Sequence, residues 1–217
     1  MKTDKQLQHD VLAELEWEPS VEASKIGVAS ADGVITLTGQ VGTYLEKTKA
    51  EEVSKRVYGV RAVANDIAVK IGGQHARTDA EIATAVLNSL KWDADVDDEK
   101  IKVGVRDGWV TLEGSATWKY QSDAAERDVR VLTGVRGVTN TITLVSPVRT
   151  ADVQKKIEDA FRRSAEVDAR RVEVHATDGR IVLRGNVRSW AERAEAQQAA
   201  WSAPGVINVE NNLIVMP

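Results

Sequence analysis

Three segments of this chain are written to one pattern: Asp32-Gly33-Val34-Ile35-Thr36-Leu37-Thr38-Gly39, Asp107-Gly108-Trp109-Val110-Thr111-Leu112-Glu113-Gly114 and Asp178-Gly179-Arg180-Ile181-Val182-Leu183-Arg184-Gly185. Each is followed, 20 residues after its last Gly, by a further Gly (Gly59, Gly134, Gly205) and, 6 residues after that, by Asn (Asn65, Asn140, Asn211). All four landmarks keep an offset of 75 residues between the first two copies and 71 between the second and third. Self-similarity at a fixed period marks repeated structural units. The 217 residues therefore divide into three modules, 1–72, 77–146 and 149–217, joined by Gly72–Arg77 and Ser146–Arg149. Modules of this size lie near the lower limit for a self-sufficient core, roughly 60 residues.

Superposing the copies gives the rest of the unit. Leu7, Val11 and Leu15 match Ile82, Val86 and Leu90, then Val153, Ile157 and Phe161; spacing by four puts each trio on one helical face. Thr3-x-x-Gln6 and Thr78-x-x-Glu81 read as capping boxes at the helix start. Short alternating runs follow (Ile26 and Val28; Ile101, Val103 and Val105; Val172 and Val174), as a half-buried strand requires. Asp-Gly between two such runs is a strong hairpin signal, because both residues tolerate positive φ. The second strand points Ile35 and Leu37 inward, with Val110 and Leu112, and Ile181 and Leu183, at the same places. Gly39, Gly114 and Gly185 are expected to end it. A helix rich in Ala, Glu and Arg comes next, stopped by Gly59, Gly134 or Gly205 as a left-handed C′ residue. A closing strand covers Val63–Ile71, Val138–Val145 or Val206–Val215. The fold class is α+β: three tandem α-β-β-α-β modules, each a small three-stranded mixed sheet with two helices on one face. Right-handedness of the β-α-β crossover leaves the other sheet face open.

The D-G-x-[VI]-x-L-x-G hairpin, the later Gly-Val (Gly59-Val60, Gly134-Val135, Gly205-Val206) and the closing V-x-N-x-[IL] strand resemble the BON domain of bacteria, named for osmotically inducible and nodulation-associated proteins. The resemblance covers nearly the whole chain, three times. It implies a non-enzymatic role linked to osmotic stress, membrane integrity and phospholipid binding. Some members are chaperone-like, and one cytoplasmic member binds potassium.

The residues themselves offer little chemistry. There is no Cys, which excludes disulfides and thiolate sites. His9, His75 and His175 occupy unrelated repeat positions without metal-ligand spacing, and read as surface residues. No G-x-S-x-G or P-loop occurs, and no cofactor is called for. Asp93, Asp95 and Asp97 start like a calcium loop, but Asp98 stands at position six and Gly104 at position twelve, so a weak cation site competes with a solvated acidic loop. A net charge of −4 and a pI near 5.5 argue against nucleic acid as partner. No run of 18 apolar residues spans a bilayer. Charged residues recur through the first 18 positions, so the chain as it stands reads as cytoplasmic, or as periplasmic with a leader removed.

Charge and aromatic residues separate the copies. Residues 1–73 carry 9 basic and 11 acidic residues, 74–147 carry 9 and 12, and 148–217 carry 11 and 10. In the third copy Arg171, Arg180 and Arg184 fall by alternation on the open face, near Arg188 in sequence. Arg matches phosphate bidentately, so this face is a candidate for an anionic lipid headgroup; the alternative is pairing with the acidic second copy. Trp109 alternates onto the open face of copy two. Trp118 and Trp190 stand near the start of the second helix, and Trp17 and Trp92 just past the first, where copy three has Arg163. Such Trp residues suit a membrane interface, although burial between modules is the commoner fate. The expected partners are anionic phospholipid or an envelope protein, with self-association as a structural or chaperone-like protein, or small-cation (potassium) sensing, as alternatives.

Overall fold

In the computed structural model, residues 2–73, 76–145, 152–164 and 167–216 are described. His75 and the Ser146–Arg149 linker lie outside them. The first module runs α1 (Asp4–Trp17), β1 (Ile26–Ala31), β2 (Val34–Val41), α2 (Tyr44–Arg56) and β3 (Ala62–Val69). The second runs α3 (Asp79–Trp92), β4 (Ile101–Arg106), β5 (Trp109–Ala116), α4 (Lys119–Arg130), β6 (Gly137–Asn140) and β7 (Thr143–Leu144). The third runs α5 (Val153–Arg163), β8 (Val172–Thr177), β9 (Arg180–Val187), α6 (Trp190–Trp201) and β10 (Asn208–Val215). The α-β-β-α-β order is as expected, and both capping boxes form, Thr3 with Gln6 and Thr78 with Glu81.

The second strand is central in each sheet: β1-β2-β3, β4-β5-β6 and β10-β9-β8. It pairs antiparallel with the first strand and parallel with the third in copies one and three. In copy two the third strand is split rather than continuous. β6 and β7 both pair parallel with β5, and the break falls at Thr141, whose N–H and hydroxyl both donate to Leu112 O, at 2.8 and 2.8 Å.

Alternation along the central strand decides the layers. Ile35, Leu37, Ile181 and Leu183 are fully buried against the helices. In copy one they share a core with Leu7, Val11 and Leu15 of α1 and Ala50 and Val53 of α2; in copy three, with Ile157 and Phe161 of α5 and Ala196 and Ala200 of α6. Each such aliphatic side chain contributes about 1.5–3 kcal/mol on burial. The helices thus cover one face and leave the other bare.

The repeated landmarks acquire physical reasons. Asp32-Gly33 has φ of 49° and 79°, and Asp107-Gly108 and Asp178-Gly179 repeat it, which is the type I′ turn of a two-residue hairpin. The turn carbonyl then receives a backbone N–H just after the later Gly: Arg61 to Gly33, Arg136 to Gly108 and Ile207 to Gly179, at 2.8, 2.9 and 2.8 Å. The hairpin tip and the turn that carries the later Gly are therefore one docked unit. That later Gly is not the helix C′ residue: α2 ends at Arg56 with Val57 as its cap, and Gly59 lies in the following turn with φ of 100°. Nor does Gly185 end its strand, which continues to Val187. It has φ of 122°, and a Cβ there would run into the backbone carbonyl of Arg171, where the first strand begins. Close approach of backbone, not strand termination, is what this position requires.

The repeated Asn ties the last strand to the second helix. Asn65 Nδ2 donates to Lys47 O and to Glu51 Oε2, and Asn211 Nδ2 donates to Arg193 O and Gln197 Oε1. By contact the chain separates into two compact units, Met1–Glu113 with Asp123–Thr141, and Gly114–Ser122 with Ile142–Pro217.

Candidate functional site

The bare sheet faces differ in chemistry because their alternate residues differ. On copy three, Arg180 and Arg184 are exposed on β9 on either side of Val182. Arg180 stands between Thr177 of β8 and Asn208 of β10, and Arg184 between Glu173 and Asn212. Arg184 therefore has a carboxylate as its cross-strand neighbour. Arg171 precedes β8, with Nε 3.6 Å from Asp168 Oδ2. Exposed His175 lies 3.9 Å from Glu173.

Arg188 and Trp190 are placed elsewhere. Arg188 Nε donates to Glu192 Oε2 at 3.2 Å in the loop that enters α6. Trp190 packs against the module core, with the Arg193 guanidinium 5.3 Å from its ring centre. Arg193 itself donates to Leu213 O and Asn211 O, and burial lowers its pKa. The structure thus brings together Arg180 and Arg184 on one face, with Arg171 at its end, and separates them from Arg188 and Trp190.

Glu192 is a feature that charge counting passes over. It is 3% exposed, and its carboxylate accepts the N–H groups of Asp168 (3.0 Å) and Arg188 (2.7 Å). Burial pushes its pKa up, but these N–H groups and the Arg188 guanidinium outweigh burial and leave it below the usual carboxylate range. Glu46 and Gln121 do the same at equivalent positions, each holding the loop before its helix. The Ser189-x-x-Glu192 spacing, a capping-box pattern, is the signal that reveals it.

The acidic loop of copy two is internally occupied. Asp93 Oδ1 accepts the N–H of Asp95 at 2.8 Å, and Oδ2 accepts from Arg127 at 3.0 Å, which together with the Asp128 carboxyl lower its pKa. Burial and the nearby Asp93 raise that of Asp128. Asp97 pairs with Lys100. Among the described residues no three His, Cys, Asp or Glu side chains come together in a metal-binding group.

Trp17, Trp92 and Trp109 depart from the expectation of burial between modules. Trp17 and Trp92, the last residues of α1 and α3, are 84% and 88% exposed. Their helices bury the stripe that ends at Leu15 and Leu90, and two residues further on the indole is carried to the solvent side. Arg163 occupies the position in copy three and is exposed. Trp109 is half exposed on the bare face of copy two, its Nε1 donating to Thr139 Oγ1 at 2.8 Å. Among the described residues no helix is long and apolar enough to cross a membrane.

The BON domain model matches residues 3–71, 78–146 and 149–217. The chain belongs to the BON domain family. Osmotically-inducible protein Y of Escherichia coli (strain K12) is 28% identical over 141 residues, which cover 63% of this chain and 70% of that protein. Two solved structures of CdsD, a structural protein of the type III secretion system of Chlamydia trachomatis, align over 100% and 98% of this chain and 100% and 93% of their own, at 14% and 16% identity. Their TM-score of 0.28 leaves the likeness without bearing on fold or function.

Proposed function

We propose that this BON protein is a non-enzymatic, stress-associated binder of membrane surfaces that carry anionic phospholipid. The observation that carries the reading is the pair Trp17 and Trp92: two large indoles at one repeat position, each more than four-fifths exposed. Exposing Trp in water is unfavourable, and the bilayer interface suits its apolar ring and polar N–H. The Arg180 and Arg184 face adds cations that match phosphate, each worth about 1 kcal/mol at an anionic surface. Kinship with an osmotically inducible protein supports the stress association.

Vesicle flotation across a salt series tests it, with phosphatidylcholine alone and with added phosphatidylglycerol. Wild type floats with phosphatidylglycerol at low salt. Trp17→Ala with Trp92→Ala reduces flotation at every salt concentration, and Arg180→Glu with Arg184→Glu removes only the salt-sensitive part. A wild type that stays at the bottom of the gradient at low salt ends the proposal.

A further inference from the structure

The first strand of each module has a sheet neighbour on one side only, and the three copies treat its other side differently. In copy one, Gln8 of α1 donates Nε2 to Val28 O at 2.6 Å. It reaches that carbonyl from outside the ladder, so the N–H and C=O of Val28 point away from β2. The repeat offsets put Gln154 at the place of Gln8 in copy three, where it donates to Glu158 Oε1 instead. In copy two they put Ala83 there, which has no side-chain group to donate. By the same alternation Val103 and Val105 direct their N–H and C=O away from β5. Around them the edge is apolar. Val103 is half-buried where its equivalents Val28 and Val174 are buried. Leu87, one turn beyond Ala83 on α3, is 52% exposed, whereas its equivalent Leu12 packs on the core of copy one. Copy three has Glu158 at that place.

Between the two valines stands Gly104, on the bare face. Its φ is not positive and its Cβ position is open, so nothing inside the module requires a glycine; copies one and three carry Ala29 and His175 there. A glycine inside a strand often marks close approach by another backbone, and an open edge is a template for pairing. We infer that β4 pairs antiparallel with β4 of a second copy of this chain, about a two-fold axis at Val103. Val103 exchanges both bonds with its counterpart, and Val105 N–H donates to Ile101 O of the other copy; Ile101 N–H is already given to Asp98 O. The side chains are what fit a second copy. In this register Lys102 of each copy faces Gly104 of the other, where no side chain opposes it. One step either way puts Lys102 against Lys102 or against Arg106, and like charges directly opposite are destabilising. Lys100, which faces Arg106 of the other copy, is held by Asp97 of its own. On the helix side the joint covers Val103 and Val105 and brings in Leu87. One patch meets itself, so the assembly closes at the dimer.

Sedimentation velocity over a concentration series tests it without lipid, so its outcome is separate from flotation. Wild type passes from monomer to dimer and no further. Gly104→Lys sets lysine against Lys102 on both sides of the axis and remains monomeric over the same range. Adding Lys102→Glu makes those pairs opposite in charge and restores the dimer. Ala83→Gln places the Gln8 brace of copy one over Val103 O and weakens dimerisation about tenfold, as the loss of a hydrogen bond or more would. Circular dichroism checks the fold of each; where Gly104→Lys unfolds copy two, Ala83→Gln, the residue both other copies carry there, decides alone. A wild type monomeric at its highest soluble concentration, an association that grows past the dimer, or a dimer that Gly104→Lys or Ala83→Gln leaves as tight as wild type, overturns the inference.

Discussion

The indole of Trp109 covers Gly137, its register partner on β6, and is held there by the bond from Nε1 to Thr139. A glycine has no side chain to shield the ladder, and a neighbouring aromatic ring supplies the missing cover. A Cβ on residue 137 would occupy the space of the ring atoms. Gly137→Ala should therefore swing the ring outward, reduce stability by about 1 kcal/mol, the upper range for a cross-strand pair, and raise acrylamide quenching of Trp109. Subtracting the Trp109→Phe signal isolates that indole. Unchanged quenching would mean that the ring does not lie on Gly137.

Gly185→Ala tests backbone approach in copy three. The substitution places Cβ against Arg171 O at a φ of 122° that side chains rarely adopt. Such strain costs about 1–3 kcal/mol before the steric shift is added. Gly104, on β4, has open space around its Cβ position, and Gly104→Ala should be neutral or stabilise by about 0.4–1 kcal/mol through the unfolded chain. Thermal melts of the two variants should move in opposite directions or at least differ by several degrees.

Much of the fold was legible because three copies vote on each position. Ile35, Val110 and Ile181 agree on an inward place, and the Asp-Gly pairs agree on a turn, so local pattern and global fold coincide. What was misread depends on where backbones meet in space. Gly39 and Gly185 resemble strand ends in sequence, yet their strands run on to Val41 and Val187. The site was less legible for the same reason. Arg180 and Arg184 share a face by simple alternation, but Arg188 serves a loop and Trp190 a core, and composition does not distinguish an arginine that faces solvent from one that holds a carboxylate. Trp17 and Trp92 are the last residues of their helices, two past the buried stripe and so on its solvent side, where the large apolar area of an indole argues for burial and helical period argues against it.

Asn65 and Asn211 should matter alike. Each donates Nδ2 to the second helix of its module, and each accepts from the strand two residues on, Ile67 N–H at 3.3 Å and Leu213 N–H at 3.2 Å. Replacing either by Ala leaves part-buried backbone groups unsatisfied, at about 1–3 kcal/mol. Urea denaturation of Asn65→Ala and Asn211→Ala should show comparable losses with unchanged slopes. A loss confined to one of them would mean that the tie is not a common device of the repeat.

Glu192 makes copy three sensitive to acid. Its folded pKa lies below the ordinary carboxylate value of about 4.3. The charged form is therefore favoured by folding: the stabilisation is complete above the unfolded pKa and is lost as pH falls through the folded one. Glu192→Ala abandons the N–H groups of Asp168 and Arg188 and should cost about 2–3 kcal/mol at pH 7. Glu192→Gln should cost less, because its one amide oxygen still accepts one of the two N–H groups, which in the wild type bond to different oxygens, Asp168 to Oε1 and Arg188 to Oε2. What the amide loses is one acceptor oxygen and the charge-assisted share of the bonds that remain, those from Arg188 among them. The gap between wild type and Glu192→Gln should thus be open at pH 7 and close towards pH 3, as the wild-type carboxylate takes up its proton. Chemical denaturation of both proteins at the two pH values measures it, and a gap that persists at low pH would show that the difference is steric rather than electrostatic.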